Sequence, residues 1–145
     1  VLSKSRNSAM THQATAAAAR HAAYIKRLRT SMRRALQATK ARETKRAAKG
    51  RPAVAVTVTL DQIMAKLEAN AYACALTGLE FWNDDADQFG PTMPSIDLIS
   101  CDGSYDDANT RVVVYGITAC RGRGSDDDLY HIAEALLARK RSRRG

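Results

Sequence analysis

Residues 73–115 read ACALTGLEFWNDDADQFGPTMPSIDLISCDGSYDDANTRVVVY, and this stretch decides the fold. Short apolar runs are broken repeatedly by Gly, Pro, Asn and Asp, the texture of a hairpin with long loops. Arg111–Tyr115, three valines between an arginine and a tyrosine, is the clearest strand.

Amphipathic helices are expected on either side. Downstream, Gly122 and Gly124 around Arg123 form a short turn, and Ser125 with Asp128 caps a last helix. Its Leu129, Ile132, Ala133, Leu136 and Leu137 share one face, which is expected to be buried. Upstream, Thr59 and Gln62 form a T-x-x-Q capping box. The helix it opens carries Leu60, Ile63, Met64, Leu67 and Ala71 on one face. Ala53–Val58 is a short β-prone run, expected to be extended.

Before that run, Thr11–Lys49 is rich in Ala, Arg, Lys and Gln and lacks Pro and Gly, which predicts one long helix capped near Gly50. Ile25, Leu28, Met32 and Leu36 recur at steps of three and four and make a narrow stripe for the core or for a second copy. Val1–Met10 reads as a polar, frayed lead-in.

The net charge of +8 over 145 residues is unevenly distributed. Residues 1–52 hold 14 Lys or Arg against the single acid Glu43, a charge of +13. Residues 53–138 hold four bases and 14 acids, a charge of −10, and residues 139–145 carry five bases and no acid. Basic flanks on an acidic body gain affinity for a polyanion by releasing its condensed counterions. Nucleic acid, DNA first, is the expected partner. A membrane surface is a poor fit, because the basic helix offers mostly alanine where large apolar side chains would be needed. The expected phosphate contacts are Arg20, Lys26, Arg27, Arg29, Arg33, Arg34, Lys40, Arg42, Lys45 and Arg46, with Arg121, Arg123, Arg139, Lys140 and Arg141 after the hairpin.

Cys74, Cys101 and Cys120 are odd in number, widely spaced and free of any C-x-x-C pair, so neither a disulfide framework nor a zinc ribbon is indicated. A reducing, cytoplasmic setting is expected, without a signal peptide or membrane span. The acidic cluster Asp84, Asp85 and Asp87 reads as a solvated loop, with a metal site as its sharper alternative. His12, His21 and His131 lie outside the hairpin.

Taken in order, CALTGLEFW (Cys74–Trp82), PSIDLI (Pro94–Ile99) and GSYDDANTRVVV (Gly103–Val114) resemble a group of HNH-like proteins found often in phage genomes. Their pattern is C-x-x-T-G-x-x-F, then S-x-D-x-I, then G-Y and N before a strand and a helix. The likeness runs from about Thr59 to Leu137. It implies an α+β fold with a ββα-metal core, a divalent ion such as Mg²⁺ or Mn²⁺, and phosphodiester cleavage in the host cytoplasm if the source is a phage. Together with the charge distribution it divides the chain into a basic helical arm (1–52), an HNH-like domain (53–138) and a basic tail (139–145).

Carried over residue by residue, the resemblance makes Asp97 the metal ligand and Asn109 the residue that orients the loop. Thr118 falls on the helix position that completes the metal site. Arg121, one turn further along, falls where a base meets phosphate. Leu98 falls on the general-base histidine, and leucine cannot accept a proton. The zinc form of the fold would need cysteines at 74, 77, 114 and 117. This chain has Cys74, Thr77, Val114 and Ile117, so no structural zinc is expected.

Three functions remain open from the sequence. The first is a metal-dependent DNA endonuclease, slowed by the missing base. The second is a non-catalytic DNA- or RNA-binding module on a decayed nuclease scaffold. The third is a helical assembly protein that uses the N-terminal helix to pair with a copy of itself, as a homodimer, or with another protein.

Overall fold

A tight connection joins the last strand to the helix that follows it, and the architecture is organised around that junction. The computed structural model describes residues 2–82 and 90–144, with side chains from Met10 onward; Asp84, Asp85 and Asp87 lie outside the described residues. The order is α1 (Leu2–Ala48), α2 (Leu60–Ala69), β1 (Pro94–Leu98), β2 (Thr110–Val114), α3 (Tyr115–Arg121) and α4 (Asp126–Ser142). The fold is α+β, with one antiparallel hairpin pairing Ser95 with Val113 and Asp97 with Arg111.

Helix α1 has 47 residues, about 70 Å at 1.5 Å per residue. It is longer than the predicted Thr11–Lys49 at its start, and it ends as expected. Gly50 takes φ +65°, and the amides of Gly50 and Arg51 reach back to the carbonyls of Ala47 and Arg46, the bonding of a Schellman stop. Leu28, Met32 and Leu36 are buried, so the second half of the basic arm is also one wall of the core. Residues 10–23 stand in solvent.

Glu43, the lone acid of the arm, is buried at the foot of α1. Its carboxylate accepts the Val54 amide at 2.9 Å and pairs with Arg42 and Arg46. The extended run after it is stitched to the hairpin loop: Tyr105 N–H donates to Ala55, and the amides of Thr57 and Val58 donate to Tyr105.

The T-x-x-Q box forms as expected, the Thr59 side chain accepting from Gln62 N and the Gln62 side chain from Thr59 N. Ile63, Met64 and Leu67 are buried. Ala71 does not extend this face as expected, because α2 stops at Ala69. Ala71 and Tyr72 turn left-handed instead, with φ of 52° and 58°. The carbonyl of Tyr72 accepts the Tyr24 hydroxyl at 2.9 Å, and the same hydroxyl accepts the Phe81 amide at 3.2 Å. Burial is the main cause that raises the Tyr24 pKa. The exposed Ala71 carries the usual cost of a left-handed non-glycine residue. Ala71→Gly is therefore expected to stabilise the protein by about 1 kcal/mol, read by urea denaturation.

One face of the hairpin, with Ile96, Val112 and Val114, enters the core with Leu28, Met32, Ile63 and Phe81. The other face carries Ser95, Asp97, Arg111 and Val113, and α3 lies along it. The first amides of α3 are satisfied from the segment before β1: Tyr115 N–H donates to Met93 and Gly116 N–H to Pro91. A side chain at 116 would meet the Pro91 carbonyl at 3.2 Å, which accounts for the glycine.

Ser125 and Asp128 cap α4 reciprocally. Of the stripe expected to be buried, only Leu129 is; Ile132, Leu136 and Leu137 are exposed. Residues 139–142, expected as part of a loose tail, belong to α4. Among the described residues no helix is long and apolar enough to cross a membrane.

Candidate functional site

On a strand, residues two apart share a face, and on a helix residues three apart lie one turn above another. These two spacings put Ser95 and Asp97 of β1 opposite Thr118 and Arg121 of α3. The Thr118 hydroxyl donates to Ser95 Oγ at 3.2 Å. One turn further, Arg121 Nη2 donates to Asp97 Oδ1 at 2.7 Å.

The second oxygen of Asp97 is also taken. Arg111, its cross-strand partner, donates from Nε to Asp97 Oδ2 at 2.9 Å. The far side of the Arg111 guanidinium grips Asp126 through two bonds of 2.7 and 2.6 Å. Arg121 completes the network with bonds to the carbonyls of Leu98 and Ile99. The side chains of Asp97 and Arg121 are each 2% exposed. Two carboxylates and two guanidiniums thus form a neutral, largely dry cluster that ties the hairpin to α3 and to the first turn of α4. Asp126 is held below the usual carboxylate range by hydrogen bonds from Arg111, and Arg111 is raised in turn, chiefly by Asp126. Among the described residues, Arg121 Nε and Thr110 Oγ1 are buried without a hydrogen-bond partner.

This geometry revises the role expected of Arg121. A guanidinium turned inward on a buried aspartate is not at the surface to meet phosphate. Asp97 and Thr118, expected to hold a metal, share the hairpin–α3 junction, but as arranged they do not fit an ion. A cation at Asp97 would have to displace two charge-assisted pairs, and Thr118 is bonded to Ser95. Among the described residues no three His, Cys, Asp or Glu side chains group as metal ligands. Leu98 is half-buried at the end of β1.

Asn109 organises the loop between the strands. Its Oδ1 accepts the Ser100 amide at 2.8 Å, and its Nδ2 donates to the carbonyls of Ser100 and Ser104, both at 3.0 Å. Its own amide donates to Asp106, whose carboxyl is lowered chiefly by that bond. A Cβ at Gly103 would come within 2.4 Å of Asn109 Nδ2, so a larger residue there would have to displace the Asn109 amide.

Cys74 opens a tight turn closed by Cys74 N–H to Leu79 and Gly78 N–H to Cys74, with Gly78 at φ +69°. Its sulfur accepts the Val114 amide at 3.4 Å. Cys74 and Val114, far apart in the sequence, are therefore neighbours joined by a hydrogen bond.

The expected phosphate contacts fall along α1 in two lanes at 3.6 residues per turn. Arg20, Arg27, Arg34 and Lys45 lie along one edge, and Lys26, Arg29, Arg33 and Lys40 along the other. Arg29 pairs with Asp61 at 2.7 Å, while Arg42 pairs with Glu43 and donates to the Tyr105 hydroxyl. Arg46 also leans on Glu43. Arg123, Arg139, Lys140 and Arg141 are exposed.

Beside the first lane runs a groove of about 740 Å³. Trp82, Met93 and Pro94 supply its apolar wall, and Lys26, Arg27 and Arg34 its charge. The Arg27 guanidinium sits 4.9 Å from the centre of the Trp82 ring. From its local sequence Trp82 suggests packing alone; its place beside a cationic helix follows from the tertiary fold.

Several carboxylates are depressed by native contacts: Glu43 first by the Val54 amide, Asp126 by Arg111, and Asp128 by the Ser125 amide. A depressed folded-state pKa gives stability that is complete above the unfolded value, about pH 4, and is lost as pH falls through the folded value. The melting temperature is therefore expected to stay flat from about pH 5 to 8 and to fall below about pH 4. Glu43→Gln should lower the plateau and shallow the acid limb in a calorimetric pH series.

Compared with family models, curated proteins and solved structures, the chain matches none.

Proposed function

We propose that this protein binds nucleic acid, DNA in the first instance, without cutting it, on an HNH-like ββα scaffold whose cation position is taken by arginine. The observation that carries the reading is the pairing of both Asp97 oxygens with guanidiniums, one of them, Arg121, buried. The scaffold itself is supported by the hairpin running directly into α3, by Asn109 clamping the loop between the strands, and by the meeting of Cys74 with Val114. The binding surface is the cationic side of α1, with the groove beside Trp82 suited to an unstacked base while Lys26 and Arg34 hold its phosphates.

Supercoiled plasmid incubated with the full chain and Mg²⁺ or Mn²⁺ tests this. Retarded but intact plasmid is expected, for the wild type and for Leu98→His alike. A second reading, a slow metal-dependent endonuclease, draws support from the Asn109 clamp, which holds the loop as a nuclease would need it. Metal-dependent nicking by the wild type that disappears in Thr118→Ala would favour that reading instead.

A further inference from the structure

Helix α4 leaves the body of the protein after its first turn. Among the described residues its backbone runs beside α3 and no other helix or strand, and every residue from Tyr130 to Ser142 is exposed. Yet this segment carries an ordered apolar stripe: Ile132, Leu136 and Leu137 lie on one face with Ala133 and are 41%, 65% and 51% exposed. The exposed part, 130–142, is by itself short enough to be marginal as a helix in water without a surface to pack against. Its direction is fixed, because Arg111 grips Asp126 at its first residue and Leu129 is anchored below.

We propose that α4 is a self-association surface on which a second copy of this chain packs its own α4, antiparallel. The charge pattern selects that occupant. The first turn carries Asp127 and Asp128 beside the Arg111-paired Asp126, and the last turn Arg139, Lys140 and Arg141, with Arg143 and Arg144 just beyond. Around a two-fold axis between Ala133 and Leu136, Ile132 meets Leu137 of the second copy. Each acidic first turn then lies beside the other copy's basic last turn. A parallel pair would oppose like charges at both ends, and it would align rather than oppose the helix dipoles. The same patch serves both copies, as a two-fold interface requires. The dimer would present two α1 surfaces to one polyanion.

Sedimentation equilibrium of the full chain from about 1 to 200 µM tests the proposal at low and high salt. The mass is expected to rise from one chain toward two at both salt concentrations. Leu136→Asp removes two buried leucines per dimer and is expected to weaken association about 100-fold or more. Since Leu136 faces solvent in the single chain, its near-ultraviolet spectrum should be unchanged. Arg139→Glu with Arg143→Glu is expected to loosen the dimer at low salt and much less at 0.5 M, where the charges are screened. A wild type that stays monomeric throughout, or association untouched by Leu136→Asp, would overturn the proposal. A charge pair without effect at low salt would overturn the antiparallel arrangement.

Discussion

Asp97→Ala is expected to destabilise the protein by about 3–5 kcal/mol, because it strands the Arg121 guanidinium in a dry interior and leaves Arg111 with Asp126 alone. A domain of ordinary stability has only about 5–15 kcal/mol in total, so the loss should be visible as a melting temperature lowered by about 10–20 °C. The reason is specific to the geometry. Arg121 is 2% exposed and Arg111 11% exposed, so water cannot replace the missing carboxylate. Asp126 already commits both oxygens to Arg111 and reaches Arg121 only at 3.8 Å. If Asp97 served only to hold an ion, its removal from the metal-free protein would cost little, since ligand clusters are commonly strained for function. Adding Arg121→Met to Asp97→Ala should recover much of the loss, because an apolar side chain of similar length leaves no orphan charge. Denaturant titration of the two variants measures both effects, and a double variant no better than the single would refute the pairing as the cause.

The second large effect concerns binding. Replacing Arg20, Arg33, Arg34 and Lys40 together by Gln should reduce the slope of log affinity against log salt by about 0.9 for each phosphate no longer neutralised, or about 3.6 if all four touch backbone. That corresponds to about three to four orders of magnitude in affinity near 0.1 M salt. These four residues are exposed and lie on both lanes of α1, so folding should shift by no more than about 0.5 kcal/mol for each. Fluorescence anisotropy with a labelled oligonucleotide across a salt series reads the slope. An unchanged slope would move the binding surface off α1, toward Arg123 and the basic end of α4.

Much of this arrangement was legible in the residues themselves. Both capping boxes, at Thr59 with Gln62 and at Ser125 with Asp128, rest on local chemistry that tertiary context rarely overrides, and both formed. The hairpin followed from short apolar runs broken by turn residues, and the stripe of Leu28, Met32 and Leu36 from periodicity. Periodicity names a face but not what covers it, which is why the stripe of α4 was expected in the core and stands in solvent instead. The ion network was harder to read, since Asp97, Arg111 and Arg121 have no spacing that marks them as partners. One signal was present: PSIDL and TRVVV each carry a single charged residue in an otherwise apolar or small strand, and two such residues placed opposite each other would pair. Knowing the register was the missing step. The left-handed turn at Ala71 and Tyr72 left no trace in the sequence, because neither residue is a glycine. Glu43 did leave one, as the only acid in the basic arm.

Anomalous diffraction from a crystal of the full chain soaked in Mn²⁺ examines the site directly. With Asp97 committed to arginine, both of its oxygens should remain on Arg111 and Arg121, and no manganese peak should lie within about 2.5 Å of it. A manganese ion bound between Asp97 and Thr118, with Arg121 swung out toward solvent, would contradict the arginine-filled site and return the protein to the metal-dependent nucleases.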